Sequence, residues 1–457
     1  MFQFKPLAVA VLAIVSLPAL ADNSLSTQSQ TGADNFADVK QTEAQNSQAT
    51  QTQSGPGGNF ATIEQQFVVR SRAEQTQDSE GSDSYALQSD ERRSRSVQVQ
   101  HGSFQSATND QEGGSDNLAR TVQRGIGQWA TATQIFETGS EVQVNQRGDS
   151  NVADAYQSDG ANNLADITQT GVGSRASTDS FAQTDSVITI TQGGGSNEAF
   201  IYQDSGTLSS ATVDQQGFEN VVDAFQSNQT NSHYNLIQTG DLNGALLDQT
   251  DGADNQMMIT QIGEGNELSA NQVSASATTT LLVQNGSINY AETYQEGSGH
   301  LLEINSTGTG NEIYAGVETG SRGQYGLDQV ASLGQEGTFN SIKLTQSGQL
   351  QNAALGQSGN GNQMDTNQAG VNNELYFDQN GDGNMLVAVQ TGSSNLANGS
   401  TMGDDNSITV SQSNMLNLST ITQSGIGNSA LVTQTSNNMI STIAQTGSNN
   451  TANVLQQ

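Results

Sequence analysis

The sequence predicts an all-β fold: a β-solenoid of about nineteen two-strand coils of 22–23 residues, amyloid-like, with glutamine and asparagine side chains stacked in ladders. Three observations carry this prediction. Glutamine recurs at a constant step of 23 residues, and later of 11. Between glutamines, small apolar and polar residues alternate, which is typical of a strand. Only 33% of the 457 residues are hydrophobic, too few for several globular cores without a repeat.

Two glutamine series interleave at spacings of 11 and 12 residues. The first comprises Gln77, Gln100, Gln123, Gln146, Gln169, Gln192, Gln215, Gln238, Gln261 and Gln284. The second comprises Gln88, Gln111, Gln134, Gln157, Gln203, Gln226, Gln249, Gln272 and Gln295, with Ser180 replacing one glutamine. Towards the C-terminus a series with a step of 11 comprises Gln346, Gln357, Gln368, Gln379, Gln390, Thr401, Gln412, Gln423, Gln434, Gln445 and Gln456.

The segments share the pattern Gln-x-Gly-x-x-Asn-x-Ala/Leu-x-x-x-Gln. The seven residues from Asn to Gln fit one strand, so Ala291 and Gln295 are expected to face inward and Tyr294 outward. The Gln-x-Gly-x-x-Asn stretch is predicted to be a turn, because glycine tolerates positive φ and asparagine bonds to nearby backbone. The predicted turn glycines are Gly148, Gly171, Gly194, Gly217, Gly240, Gly263, Gly286, Gly381, Gly425 and Gly447, and the predicted ladder asparagines are Asn243, Asn266, Asn289, Asn384 and Asn428.

The predicted core is thin, because the inward positions hold small or medium side chains such as Ala153, Ala155, Ala245 and Leu247. One coil is then weakly stable alone, and stacking at about 4.8 Å supplies the rest. Identical amides stacked one coil apart can bond along the axis. A buried amide left unpaired costs about 1–3 kcal/mol, so the ladder penalises slips of register.

The chain is expected to divide into five segments. A short positive stretch, an apolar stretch too short to span a bilayer and a small-x-small cleavage site predict a secretory signal peptide. Near Glu318 and Gln329 the rhythm is approximate, and it restarts with a phase shift at Gln335. The segments are a signal peptide at 1–21, a leader with loose repeats at 22–69, a regular solenoid block at 70–295, an irregular region with a phase break at 296–345, and a regular block at 346–457.

The composition excludes several kinds of chemistry. A net charge of −33 disfavours nucleic acid as a partner. No cysteine is present, so a disulfide scaffold and thiol catalysis are excluded. The three histidines, His101, His233 and His300, lie far apart and are expected on the solvated surface, not in a metal or catalytic site. We expect no enzyme activity, no cofactor, no catalytic or metal-binding residue and no small-molecule substrate.

The repeat pattern resembles the curlin repeat of bacterial curli fibre subunits, over roughly residues 30–457. The resemblance implies a secreted, extracellular subunit of a pilus-like cell-surface fibre, a functional amyloid that serves biofilm matrix and cell adhesion. It implies self-assembly as the main partnership, together with a nucleator subunit and an outer-membrane secretion channel. The chain departs from the family in its length, which leaves open whether it is a major subunit, a nucleator or a separate matrix protein.

The alternative function is a monomeric β-solenoid adhesin or surface-binding rod. Aromatic residues on the predicted outer faces suit either lateral fibre association or adhesion, and scattered exposed aromatics are also ordinary. These residues are Tyr156, Tyr202, Phe225, Tyr290, Tyr294 and Tyr376.

Overall fold

The computed structural model describes residues 23–316 and 322–457. The predicted signal peptide at 1–21 and the predicted rhythm at Glu318 therefore lie outside the described residues. The described residues form 39 strands and no helix. They divide into two compact units, unit 1 (Met1–Phe218) and unit 2 (Glu219–Gln457), each of which is described by itself.

In unit 1 the odd-numbered strands form one sheet and the even-numbered strands another. The strands are β1 (Leu25–Gln30), β2 (Phe36–Thr42), β3 (Gln48–Gly57), β4 (Phe60–Gln66), β5 (Arg72–Glu80), β6 (Asp83–Ser89), β7 (Arg95–Ser103), β8 (Ser106–Glu112), β9 (Leu118–Ile126), β10 (Trp129–Ile135), β11 (Glu141–Asp149), β12 (Val152–Ser158), β13 (Leu164–Val172), β14 (Arg175–Phe181), β15 (Val187–Gly195), β16 (Glu198–Asp204) and β17 (Ser210–Phe218).

Unit 2 repeats this arrangement. Its strands are β18 (Val221–Thr230), β19 (His233–Asp241), β20 (Gly244–Ala253), β21 (Gln256–Glu264), β22 (Glu267–Ser276), β23 (Thr279–Ser287), β24 (Tyr290–Ser298), β25 (Leu301–Thr309), β26 (Glu312–Ala315), β27 (Gly323–Leu327), β28 (Val330–Thr338), β29 (Ser341–Gln349), β30 (Asn352–Asn360), β31 (Gln363–Val371), β32 (Glu374–Asn380), β33 (Met385–Ser393), β34 (Leu396–Met402), β35 (Ser407–Gln412), β36 (Leu418–Ile426), β37 (Ser429–Gln434), β38 (Ile440–Ser448) and β39 (Thr451–Gln456).

Every described pairing between strands is parallel, and equivalent residues of successive coils are partners. Gln146 of β11, for example, pairs with Gln123 on one side and Gln169 on the other. Counted over the described residues, the two units together contain about nineteen coils. The predicted fold class, an all-β parallel solenoid with glutamine and asparagine ladders, is confirmed.

The strands are longer than predicted. β11 runs for nine residues and continues three residues past the ladder glutamine, through Gly148. Gly148 itself pairs with Gly125 and Gly171. Most of the predicted turn glycines therefore lie within strands, where they bend the chain while the ladder continues. The prediction that the whole Gln-x-Gly-x-x-Asn stretch is a turn was wrong, because glycine bends a strand without breaking its parallel hydrogen bonds.

The phase break is an insertion within one coil. Thr293 pairs with Ala315, but Gln295 pairs with Gln324, so the extra residues fall between β26 and β27. The amide column closes over the insertion, since Gln295 Nε2 donates to Gln324 Oε1 at 2.8 Å. Strands β25, β28 and β29 remain in register on either side of it.

The inner faces form a thin, closely packed core. Ala153 and Ala155 in unit 1, and Leu247 in unit 2, are 1%, 0% and 0% exposed. Outward neighbours alternate with these core residues: Asp154 is exposed, and Asp248 is half-buried by the flanking strands. Tyr234 is an exception that the repeat did not predict: its side chain is fully buried, and its hydroxyl donates to the carbonyl oxygen of Phe225.

Gly263 shows why the bend requires glycine. Its φ is +116°, and a Cβ atom there would lie 1.9 Å from the carbonyl oxygen of Gly286 in the next coil. Gly265, two residues on, has φ of +65°, and its Cβ would lie 3.8 Å from the Ile288 side chain. The first site excludes any side chain, whereas the second is an ordinary left-handed position that alanine adopts at a cost of about 1–2 kcal/mol.

We therefore expect Gly263→Ala to lower the free energy of unfolding by about 3 kcal/mol or more, through strain and displacement of the neighbouring coil. Gly265→Ala, the matched control, should cost no more than about 1–2 kcal/mol. Urea denaturation of the full-length variants measures both changes. Equal losses would contradict the close approach at Gly263.

Candidate functional site

The stacked side-chain amides form the candidate functional site. In unit 1, Gln100 Nε2 donates to Gln123 Oε1, and Gln123 Nε2 donates to Gln146 Oε1, each at 2.9 Å. The second proton on Gln123 Nε2 goes to the carbonyl oxygen of Ser106, on the facing strand, at 2.9 Å. Gln123 thus bonds along the axis and also ties the two sheets together.

The predicted ladder glutamines all lie in these inner columns, and all but the half-buried Gln456 are at most 7% exposed. In unit 1 the first series lies on the odd-numbered strands and the second on the even-numbered strands. In unit 2 the later series alternates between sheets: Gln346 and Gln368 bond at 2.9 Å on one sheet, and Gln357 and Gln379 at 3.0 Å on the other. Gln329 has no place in a glutamine column, because it occupies a corner.

The predicted asparagines form a second kind of column, at the corner that precedes a strand. Asn266 Nδ2 and its backbone N–H both donate to Asn243 Oδ1, at 3.0 and 3.2 Å. Asn266 Nδ2 also donates to the carbonyl oxygen of Gly286, at 3.1 Å. In the bonds between side chains, asparagine Nδ2 therefore donates towards the preceding coil, whereas glutamine Nε2 donates towards the following coil.

The corner position accepts other side chains that offer the same bonds. His300, predicted on the surface, is 1% exposed, so that prediction was wrong. Its Nε2 lies 3.0 Å from the carbonyl oxygen of Glu296, and its Nδ1 accepts from the backbone N–H of Gln329 at 3.4 Å. Burial lowers the pKa of His300. A neutral imidazole, with one donor and one acceptor, replaces the corner amide.

A third amide column was missed by the sequence reasoning. It lies two residues before the first glutamine series in the N-terminal coils, where other coils carry apolar side chains. Gln28 donates to Gln51 at 3.0 Å, Gln51 to Gln75 at 2.9 Å, and Gln75 to Gln98 at 2.8 Å. The sequence did contain a signal for this column, because a second glutamine recurs in these coils at nearly the same step as the first series.

One corner of unit 1 carries buried acids. Glu91 and Glu137 are 1% and 0% exposed and lie two coils apart, with Gly114 between them. A Cβ atom on Gly114 would lie 3.0 Å from Glu91 Oε1, so the glycine leaves room for the carboxyl group of the preceding coil. The backbone N–H of Gly114 donates to Glu91 Oε1 at 3.0 Å, and the Ser94 hydroxyl donates to Oε2.

Later coils carry an amide at the same position. Ser186 Oγ donates to Gln183 Oε1 at 3.0 Å, as Ser140 Oγ donates to Glu137 Oε2 at 2.6 Å. Burial raises the pKa of Glu137. Burial also raises the pKa of Glu91 to about 7, although hydrogen bonds from Ser94, Gly114 and Asn117 oppose the rise. The neighbouring carboxylates, Asp90 and Asp159, raise these pKa values further.

The glutamine columns contain gaps. At Thr401 the column in unit 2 is interrupted, and three buried atoms have no hydrogen-bond partner: Gln379 Nε2, Thr401 Oγ1 and Gln423 Oε1. Ser180 interrupts a column of unit 1 in the same way and leaves Gln157 Nε2 without an acceptor. Each gap removes two amide bonds, because the shorter hydroxyl side chain does not reach the amides above and below it.

Residues 23–316 and 322–457 contain no group of three or more His, Asp or Glu side chains placed to hold a metal ion. Within those same ranges no helix has the length and apolar character needed to cross a membrane.

The fold and the columns define a class, the parallel β-solenoids whose coils are held in register by stacked amides. Comparison with protein families then identifies the repeat: the family described as "Curlin associated repeat" matches residues 138–171, 184–217 and 403–435. Each matched segment contains three ladder glutamines. The chain thus contains curlin-associated repeats in these three segments. A comparison with curated proteins gave no match.

Thr401→Gln should complete its column. The new amide would accept from Gln379 Nε2 and donate to Gln423 Oε1, so we expect the free energy of unfolding to rise by about 1–3 kcal/mol. The control is Ser400→Gln, on the outward face of the same strand. Urea denaturation of the full chain measures both variants. An unchanged or lower midpoint for Thr401→Gln would contradict the claim that Thr401 interrupts the glutamine column.

Glu91 should make the stability of unit 1 depend on pH. Its pKa is raised from 4.5 to about 7, so the folded state holds the proton more tightly than the unfolded state. Stability is then greatest below about pH 4.5 and falls by about 3 kcal/mol as the pH rises to about 7. In Glu91→Gln this part of the pH dependence should disappear, whereas the exposed control Glu112→Gln should retain it. Urea midpoints between pH 4 and pH 8 provide the measurement.

Proposed function

We propose that this protein is a secreted structural subunit that assembles with copies of itself into curli-like extracellular amyloid fibres, which serve biofilm matrix and surface adhesion. The observation that carries the proposal is the polarity of the coil. Where the columns are unbroken, one face of a coil presents glutamine Nε2 donors and asparagine Oδ1 acceptors. The opposite face presents glutamine Oε1 acceptors and asparagine Nδ2 donors.

Two such faces are complementary, because the bonds between coils within a copy can also form between copies. Gln434 Nε2 donates to Gln456 Oε1 at 2.8 Å, in the same geometry as within the columns. A coil that ends any stack of this kind presents unpaired strand edges, and such an edge is a template for another chain. Stacking one face on the opposite face of a second copy is a head-to-tail contact, which extends into a filament.

The proposal includes the partners that the family resemblance implies, a nucleator subunit and an outer-membrane secretion channel. It also holds that the protein is not an enzyme. The side chains that form the columns are amides that bond to each other. They offer no nucleophile paired with a base, which an active site of the acyl-transfer kind requires.

The direct test is assembly of the purified chain without residues 1–21. We expect fibres that bind amyloid dyes and diffract at the spacing between strands of about 4.8 Å. A short curli-type nucleator should shorten the lag before growth. A chain that remains monomeric for days at high concentration would refute assembly and favour the monomeric adhesin.

A paired substitution tests whether the amide columns drive assembly. Gln249→Ala with Gln272→Ala removes two successive members of a column bonded at 2.7 Å, so fibre growth should slow at least tenfold. The control, Asp248→Ala with Asn271→Ala, alters the adjacent outward side chains. Dye-binding kinetics measure both variants, and equal rates would mean that the glutamines are not needed for growth.

A further inference from the structure

The surface of unit 1 carries a group of basic and apolar side chains at one corner, where the odd-numbered strands bend towards the even-numbered strands. Arg124 pairs in register with His101 on one side and Arg147 on the other. The three side chains are thus stacked at the strand spacing of about 4.8 Å. We call this surface the basic corner. It comprises His101, Phe104, Arg124, Ile126, Trp129 and Arg147.

The arginines of the basic corner are not neutralised within the chain. His101 Nδ1 lies 3.9 Å from an oxygen of Asp78. In the part of the chain that the structure describes, Arg124 and Arg147 form no ion pair, whereas Arg93 and Arg95 elsewhere in unit 1 bond to carboxylates. Like charges directly opposite one another on paired strands destabilise a sheet. An anionic partner would remove this cost.

The apolar members of the basic corner are exposed. Phe104, Ile126 and Trp129 are 64%, 53% and 57% exposed, and Trp129 is the single tryptophan of the sequence. Tryptophan and arginine are the residue types that most often dominate the binding energy of protein interfaces. The combination is typical of a protein-binding surface, since a solvated face would carry polar side chains here.

The charge distribution of the chain indicates the partner. Residues 219–457 contain 21 acidic residues against two basic ones, Arg322 and Lys343. Both basic side chains are engaged within unit 2: Arg322 Nη1 lies 3.4 Å from Asp365, and Lys343 Nζ lies 5.8 Å from the centre of the Tyr314 ring. Unit 2 therefore presents an acidic surface to other molecules.

The equivalent corner of unit 2 matches the basic corner in extent and opposes it in charge. Asp241 and Glu264 are exposed and in register on adjacent strands. Leu242, Ile262 and Ile288 beside them are 50%, 42% and 67% exposed. This surface, the acidic corner, spans three successive coils, as the basic corner does.

We infer that the basic corner of unit 1 binds the acidic corner of unit 2 on a second copy of this chain, which joins copies side by side. The arginine column faces the carboxylates, and Trp129 with its apolar neighbours packs against the exposed aliphatic side chains. The contact is lateral. It adds to the end-to-end growth proposed above and does not depend on it.

The test uses the chain without residues 1–21 and follows Trp129 fluorescence as concentration rises. Association should shift the emission to shorter wavelength and reduce quenching by acrylamide at least twofold. Raising NaCl from 0.05 to 1 M should reverse the change, because salt screens exposed charges. Electron microscopy of the same samples should show bundles at low salt and separate filaments at high salt.

Charge reversal then identifies the two surfaces. Arg124→Glu with Arg147→Glu should abolish the fluorescence change and the bundles while leaving dye-binding growth within twofold of the original. Adding Asp241→Arg and Glu264→Arg to that variant should restore both, because the charges are then exchanged between the corners.

The control is Arg70→Glu with Arg92→Glu, which makes the same change of net charge at exposed sites outside the basic corner; this variant should still bundle.

The inference is overturned if Trp129 remains exposed in the bundles, if the control loses bundling equally, or if the exchanged charges fail to restore it. An emission shift that requires phosphatidylglycerol vesicles would also overturn it, since a lipid surface would then be the partner. Failure of the proposed fibre has a different signature: the concentration-dependent shift of Trp129 persists, but no dye-binding filaments form.

Discussion

The requirement that buried amides bond to equivalent amides one coil away governs the rest of the structure. Gln123 has two protons and one oxygen in a dry core. It satisfies them through Gln100, Gln146 and a carbonyl group on the facing strand. A slip of one residue would break all three bonds at every coil and turn the inner side chains outward. This requirement explains why the ladder glutamines recur in the sequence at a constant step of 23 or 22 residues.

The same requirement accounts for where the chain tolerates irregularity. The insertion after Ala315 lies between ladder positions, so Gln295 and Gln324 still meet. His300 replaces an asparagine because a neutral imidazole offers the same bonds. Thr401 and Ser180, by contrast, shorten the side chain and leave buried atoms without partners. Coils can therefore vary in length and chemistry provided that the donors and acceptors of the columns are replaced.

The opposite directions of the glutamine and asparagine columns give the coil a polarity. Gln amides donate towards the following coil and Asn amides towards the preceding coil. Stacking is thus directional, which favours head-to-tail over face-to-face contact between copies. Charged side chains do not follow this axial pattern. Most of them lie on the outer faces, and the balance of positive and negative charge differs between the two units. Axial stacking and lateral contact can therefore use separate surfaces.

The sequence by itself determined the two-strand coil, the inward glutamines and the positions of the corner asparagines, because each depends on a repeat that is local and periodic. It could not reveal that Gly148 lies within a strand, since glycine permits both a turn and a bend. It could not reveal the burial of His300 and Glu91 either. Those side chains occupy positions that other coils fill with amides or glycine, and only the stacking of coils brings the equivalents together. Tertiary structure likewise decided that His101, Arg124 and Arg147 share one corner, because residues 23 apart become neighbours only when the coils stack.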